Sequence, residues 1–129
     1  MSVEIVPGGS DGVRVLRAAG ELDVAVVPGM LAGVPALVAG AAAVVLDLTA
    51  VTFFDSSGVR LVDRVARECG REGAGFRVVA RPGSTSRRVL EIVGFAGPLV
   101  VDDVAAALAA VQSGGRRDHV SDEGNAAGS

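Results

Sequence analysis

Residues 43–48 read Ala-Val-Val-Leu-Asp-Leu, and no other stretch constrains the fold of this chain as strongly. A strand apolar on both faces must be covered on both faces. That is the position of a central strand in a parallel sheet flanked by helices. Composition agrees with such a core. Half of the 129 residues are hydrophobic, yet Trp and Tyr are absent and only four Phe occur. The interior must therefore be built from Val, Leu, Ile and Ala. A chain of this length makes one domain.

Short alternating runs at 2–6 (SVEIV) and 12–18 (GVRVLRA) flank the turn residues PGGSDG, which predicts a hairpin. Gly-Glu-Leu-Asp at 20–23 ends the second strand and leaves Asp23 to cap the next element. Residues 24–39 carry a helical stripe of Met30, Leu31, Val34, Leu37 and Val38. Pro28 suits a first turn. Pro35 in a helix interior removes a donor and crowds a carbonyl, at about 3 kcal/mol. A kinked helix is predicted. The strongest helical pattern is 57–72, with Val59, Val62, Val65, Ala66 and Cys69 on one face and charges on the other. Asp63–Arg67 and Arg64–Glu68 are opposite charges four apart, worth about 0.2–0.5 kcal/mol each. A strand at 76–80 (FRVVA) leads through RPGSTS into a helix at 85–93, which Gly94 ends. A short strand at 98–101 precedes a last helix, VAAALAAVQ, capped by Asp102 or Asp103 and stopped by Gly114-Gly115.

The order β-β-α-β-α-β-α-β-α predicts an α/β fold. Its mainly parallel sheet has four to five strands, an antiparallel N-terminal edge strand and about four helices. Residues 1–112 make the domain, and the polar remainder, 113–129, reads as a disordered tail.

Several functions are excluded by what is missing. The one His, His119, falls in the predicted tail, so neither a Ser-His-Asp hydrolase nor a His/Cys metal centre can be assembled. No Lys is present to form a Schiff base. Neither a dinucleotide fingerprint nor a P-loop occurs, so no cofactor is expected. The net charge of −3 and the scarcity of aromatic residues argue against nucleic acid. The single Cys69 excludes an intramolecular disulfide and reads as a small buried hydrophobe. No signal-peptide pattern opens the sequence, and no run is long enough to span a membrane. A soluble, cytoplasmic, non-enzymatic protein is expected.

What remains is Asp55-Ser56-Ser57-Gly58, between an apolar run and the best helix. One capping residue would satisfy the free N–H groups of a helix start. Three in a row ask for more. A helix N-terminus also accommodates phosphate, and phosphorylation there would add about −1.5 to −2 charges. Asp55, and Asp23 if the second strand lies beside the third, would oppose that charge. From the residues alone, cap and phosphosite stand level.

With GELD at 20–23, VVLDLTAVTFFDSSGVRLV at 44–62 and GAGFRVVARPGSTSRRVLEIVGF at 73–95, the chain resembles the STAS domain family. More narrowly, it is similar to the bacterial anti-sigma factor antagonists over about residues 3–112. The resemblance implies a partner switch. The unphosphorylated antagonist binds an anti-sigma factor, a serine kinase of the histidine-kinase-like ATPase fold, and frees a sigma factor. The kinase phosphorylates the serine after the motif's aspartate, here Ser56, and a phosphatase resets it. Asp55, Ser57, Gly58 and Asp23 would surround that serine, with Ser57 as the helix cap and Phe53 closing the core. The implied partner surface comprises Asp23, Val24, Val26, Phe54, Ser56, Val59, Arg60 and Ser84. The free protein is expected to be a monomer. STAS domains also serve as unphosphorylated scaffolds or as nucleotide- or lipid-binding modules, which is the competing expectation.

Overall fold

A computed structural model describes residues 2–6, 12–95 and 97–112. The elements run β1 (Ser2–Val6), β2 (Val13–Leu22), α1 (Val27–Leu31), α2 (Val34–Val38), β3 (Ala43–Phe54), α3 (Ser56–Glu72), β4 (Gly75–Val79) and α4 (Thr85–Ile92). A 3-10 turn (Gly97–Leu99), β5 (Val100–Val101) and a helix over 104–112, here α5, complete the order. The predicted tail, His119, the Gly114-Gly115 stop and part of the β1–β2 turn lie outside the described residues.

The sheet order is β1-β2-β3-β4-β5, with β1 antiparallel to β2 and every other pair parallel. β3 is the central strand, and residues 43–48 are buried throughout. Its alternate side chains feed two cores. Val44, Leu46 and Leu48 join Leu61, Val62, Val65, Cys69 and Leu90 beneath the helices α1–α4. Ala43 and Val45 join Val15, Val79, Ala107 and Val111 beneath α5. Each apolar face is removed from water by a different helix layer, as a both-sided run requires.

Both strands that lead to the site are longer than predicted. β2 continues to Leu22 and β3 to Phe54. The β2–β3 register shifts between Arg17 and Ala19 and again between Gly20 and Glu21. Each shift sets one additional β3 residue against β2, which breaks the alternation that a periodic reading needs. Asp47 holds the first irregularity. Its Oδ1 accepts from Thr49 N–H at 2.9 Å, and Arg17, directly opposite, approaches Oδ2 at 3.8 Å.

The kinked helix of 24–39 is two helices. Gly33 is the N-cap of α2, and Pro35 falls in its first turn, where no donor is missed. The chain avoids the cost of Pro35 by restarting rather than bending. Arg14 then closes α2, donating through Nη1 to the carbonyls of Leu37 and Ala39, both at 2.8 Å. A guanidinium there satisfies carbonyls that a helix end leaves free.

α3 buries Leu61, Val62, Val65 and Cys69 and stops at Gly73, whose left-handed backbone (φ 72°) suits a glycine terminator. Asp63 and Arg67 pair at 2.7 Å as predicted. Arg64 and Glu68 do not; Glu68 is largely buried and meets Arg71 at 3.8 Å instead. Asp103, of the two candidate caps for α5, accepts from Ala106 N–H at 2.8 Å.

Burial raises the Cys69 thiol to about 12, with the charges of Glu68 and Glu72 adding to the effect. The thiolate is therefore scarce at neutral pH. A thiol reagent at pH 8 should label the native protein only as fast as it unfolds, and the denatured chain at once. Rapid native labelling would contradict this burial. Stability responds to pH with a definite sign. The unfolded thiol ionises from the ordinary 9.0, while the folded one stays neutral to about 12. Between those values the unfolded state binds fewer protons, so this contribution falls as pH rises.

Candidate functional site

β2 and β3 run parallel and finish together, Leu22 opposite Phe54. The next residue on each is an aspartate, Asp23 and Asp55. Register thus delivers two carboxylates to neighbouring positions at the carboxyl edge of the sheet, where open α/β sheets hold their ligands.

Each carboxylate is committed to nearby backbone. Asp23 Oδ1 accepts from the N–H groups of Ala25 (3.1 Å) and Val26 (3.2 Å), fixing the turn into α1. Asp55 is extended (φ −133°, ψ −158°) and is the N-cap of α3, its Oδ1 accepting from Ser57 N–H at 2.8 Å. This corrects the assignment of the cap to Ser57. The cap falls to the last residue with strand-like backbone, and α3 begins one residue earlier than the pattern suggested.

The two serines separate by one helical step. Ser56, the first residue of α3, is exposed. Ser57 turns inward and is 8 % exposed. Gly58 sits against the ring of Phe54. A Cβ on it would lie 2.6 Å from Cδ1 and Cε1 of that ring, inside any tolerable contact. The glycine of the motif is thus a packing requirement, letting the first turn of α3 rest on the strand end.

Phe54 is 3 % exposed and Phe53 is 45 % exposed. Both expectations for this pair are reversed: Phe54 closes the core, and Phe53 is the residue at the surface. The two register shifts in β3 each add one residue and so cancel in parity, leaving Phe54 on the same core face as Val44, Leu46 and Leu48. Of the other implied partner residues, Val24 stands out at 73 % exposure. Arg60 is exposed, and Asp23, Val26 and Val59 are half-buried. Ser84 is already occupied, since its hydroxyl donates to Arg81 C=O at 2.7 Å and accepts from Arg87 N–H at 3.1 Å as the cap of α4. Arg87 secures that helix to the sheet, donating through Nη1 to the Ala80 carbonyl and to Asp102, both at 2.8 Å.

Among the described residues, one cavity borders the site and another lies along the later turns of α3. A cleft of about 70 Å³ between the end of β3 and the 81–86 loop is lined by Thr49, Thr52, Phe53, Arg81 and Thr85 among others. Ligand sites for drug-sized molecules occupy about 300–1,000 Å³, so this cleft has no room for a nucleotide. The other, about 520 Å³, is an open groove along α3 lined by Pro35, Arg64, Arg67, Glu68 and Arg71. Among the described residues no group of three His, Cys, Asp or Glu is placed to hold a metal ion, and no helix is long and apolar enough to cross a membrane.

The STAS domain family model matches residues 4–107. Among solved structures, an anti-sigma factor antagonist from Mycobacterium paratuberculosis is 33 % identical, with a TM-score of 0.72, covering 86 % of this chain and 95 % of that one. The anti-sigma factor antagonist SpoIIAA in its unphosphorylated form is 23 % identical, with a TM-score of 0.68, covering 88 % of this chain and 97 % of that one. The Bacillus cell fate determinant SpoIIAA in its phosphorylated form is also 23 % identical, with a TM-score of 0.60, covering 92 % of this chain and 99 % of that one. No curated protein matches the chain.

Proposed function

The chain belongs to the STAS domain family, and on that premise we propose that it is an anti-sigma factor antagonist switched by phosphorylation of Ser56. The unphosphorylated form binds an anti-sigma factor, a serine kinase of the histidine-kinase-like ATPase fold, and so frees a sigma factor. The kinase then transfers the γ-phosphoryl group of ATP to Ser56. The Oγ–P bond forms, the bond from phosphorus to ADP breaks, and the hydroxyl proton passes to a base of the kinase. A phosphatase hydrolyses the ester and restores the binding form.

One observation carries this reading. Of the two adjacent serines only Ser56 offers its hydroxyl to solvent, because Asp55 does the capping and Ser57 is buried. The acceptor is therefore not needed to hold the helix. A phosphate at this first helical position meets free N–H groups and the positive end of the helix dipole. The fold tolerates it. A partner fitted to a neutral hydroxyl between Asp23 and Asp55 does not, because it must now accept a dianion beside two carboxylates. The similarity to the M. paratuberculosis antagonist supports the choice of partner class.

Incubation with the cognate kinase and ATP should add one phosphate by intact mass, mapped to Ser56, and none to Ser56→Ala. Phosphate on another residue, or on Ser56→Ala to the same extent, would remove Ser56 from the switch.

A further inference from the structure

The charges on α3 are not all accounted for by pairing. Arg67 meets Asp63, and Arg71 meets Glu68. Elsewhere Arg17 meets Asp47, and Arg87 meets Glu91 and Asp102. Arg60 makes no ion pair among the described residues. It is exposed, it lies four residues after the exposed Ser56, and both are on the same helix.

That spacing has a direction. Residues four apart share a helix face, with Cβ atoms about 5–6 Å apart. Every Cα–Cβ bond leans towards the helix N-terminus, so the later residue reaches back over the earlier one. An anion at the first position and a cation four residues on is the favourable order of such a pair. An arginine also offers paired donors that match two phosphate oxygens.

We propose that Arg60 is the intramolecular counter-ion of a phosphate on Ser56. This rests on Ser56 being the modified residue. The remaining charged groups around the position are mostly acidic. Glu21 and Asp23 come from the end of β2, and Asp55 from the end of β3. Residues 24–33 add no charge. Arg81 comes from the loop before α4, and Asp63 and Arg64 lie further along α3. Against three carboxylates, the unpaired guanidinium one turn away is the group placed to hold the phosphate along the helix. Phosphorylation would then change the partner surface twice: it adds a dianion, and it withdraws the Arg60 side chain from the partner.

The test installs phosphoserine at position 56 during translation, so that no kinase is involved. Phosphorus NMR then tracks the second ionisation of the phosphate in the otherwise unchanged chain and in Arg60→Gln, Arg60→Lys and Arg64→Gln. Losing Arg60 should raise that pKa by about 0.4 unit at low salt, the equivalent of one helix-surface ion pair. Arg60→Lys should restore most of the difference, Arg64→Gln should leave the pKa in place, and added salt should erase the effect. The Arg60 Nε–H resonance should move on phosphorylation. An unchanged pKa in Arg60→Gln, or an equal rise in Arg64→Gln, would overturn the assignment. Failure of a kinase to modify Ser56 would instead overturn the switch and leave this measurement intact.

Discussion

Ser56→Asp should bind the anti-sigma factor about thirtyfold more weakly than the unsubstituted protein, measured by calorimetry at fixed ionic strength. The position explains the size. Ser56 is exposed at the first residue of α3 and flanked by Asp55 and by Asp23 from the neighbouring strand end. A carboxylate added there must be desolvated by the partner beside like charges, and juxtaposed like charges cost an interface up to several kcal/mol. About 2 kcal/mol corresponds to the thirtyfold loss. The fold should not suffer, because acidic groups in a first helical turn are favoured. Ser56→Ala adds no charge, so it should form the complex and keep it during incubation with ATP. Equal affinity of Ser56→Asp and wild type would show that charge at this position does not control the partner.

Gly58→Ala should destabilise the domain by about 1–3 kcal/mol, the usual cost of overpacking a core, read from urea unfolding. The sign discriminates. Gly58 lies in α3 without a left-handed backbone, and in an ordinary helical position Gly→Ala is favourable by up to about 1 kcal/mol. Here the new methyl would lie 2.6 Å from a ring that is 3 % exposed, so the ring or the start of the helix would have to shift. Phe54→Leu should relieve much of that penalty, so the double variant should be more stable than the sum of the two singles implies. A stabilised Gly58→Ala, or strict additivity with Phe54→Leu, would mean that the helix start does not rest on the ring as described.

The central strand, the best helix and the antiparallel edge were legible because each depends on a local pattern long enough to be unambiguous. The run at 43–48 needs cover on both faces, and the stripe at 57–72 has only one amphipathic reading. The stretch from 49 to 54 was not legible in the same way. Its two register shifts cancel in parity, so Phe54 faces the same core as Val44, Leu46 and Leu48, and Phe53 and Phe54 have the opposite of the roles expected of them. Pro35 announced an interruption, but a kink and a restart place the same residues on the same stripe. Only the tertiary position of Gly33 separates them. At the site, Asp55, Ser56 and Ser57 are all competent caps, and residue type cannot rank them. The backbone does, by keeping Asp55 extended. Gly58 was the neglected signal: a glycine in the first turn of a strong helix implies that something presses against it, and here it is Phe54.

The proposed function requires a binding surface that a single phosphate on Ser56 abolishes. The direct measurement is the affinity of one anti-sigma factor for the chain bearing serine and for the chain bearing phosphoserine at position 56, at the same salt concentration. A loss of more than about a hundredfold, or roughly 3 kcal/mol, with an unchanged circular dichroism spectrum, is the predicted result. Equal affinities for the two forms would contradict it.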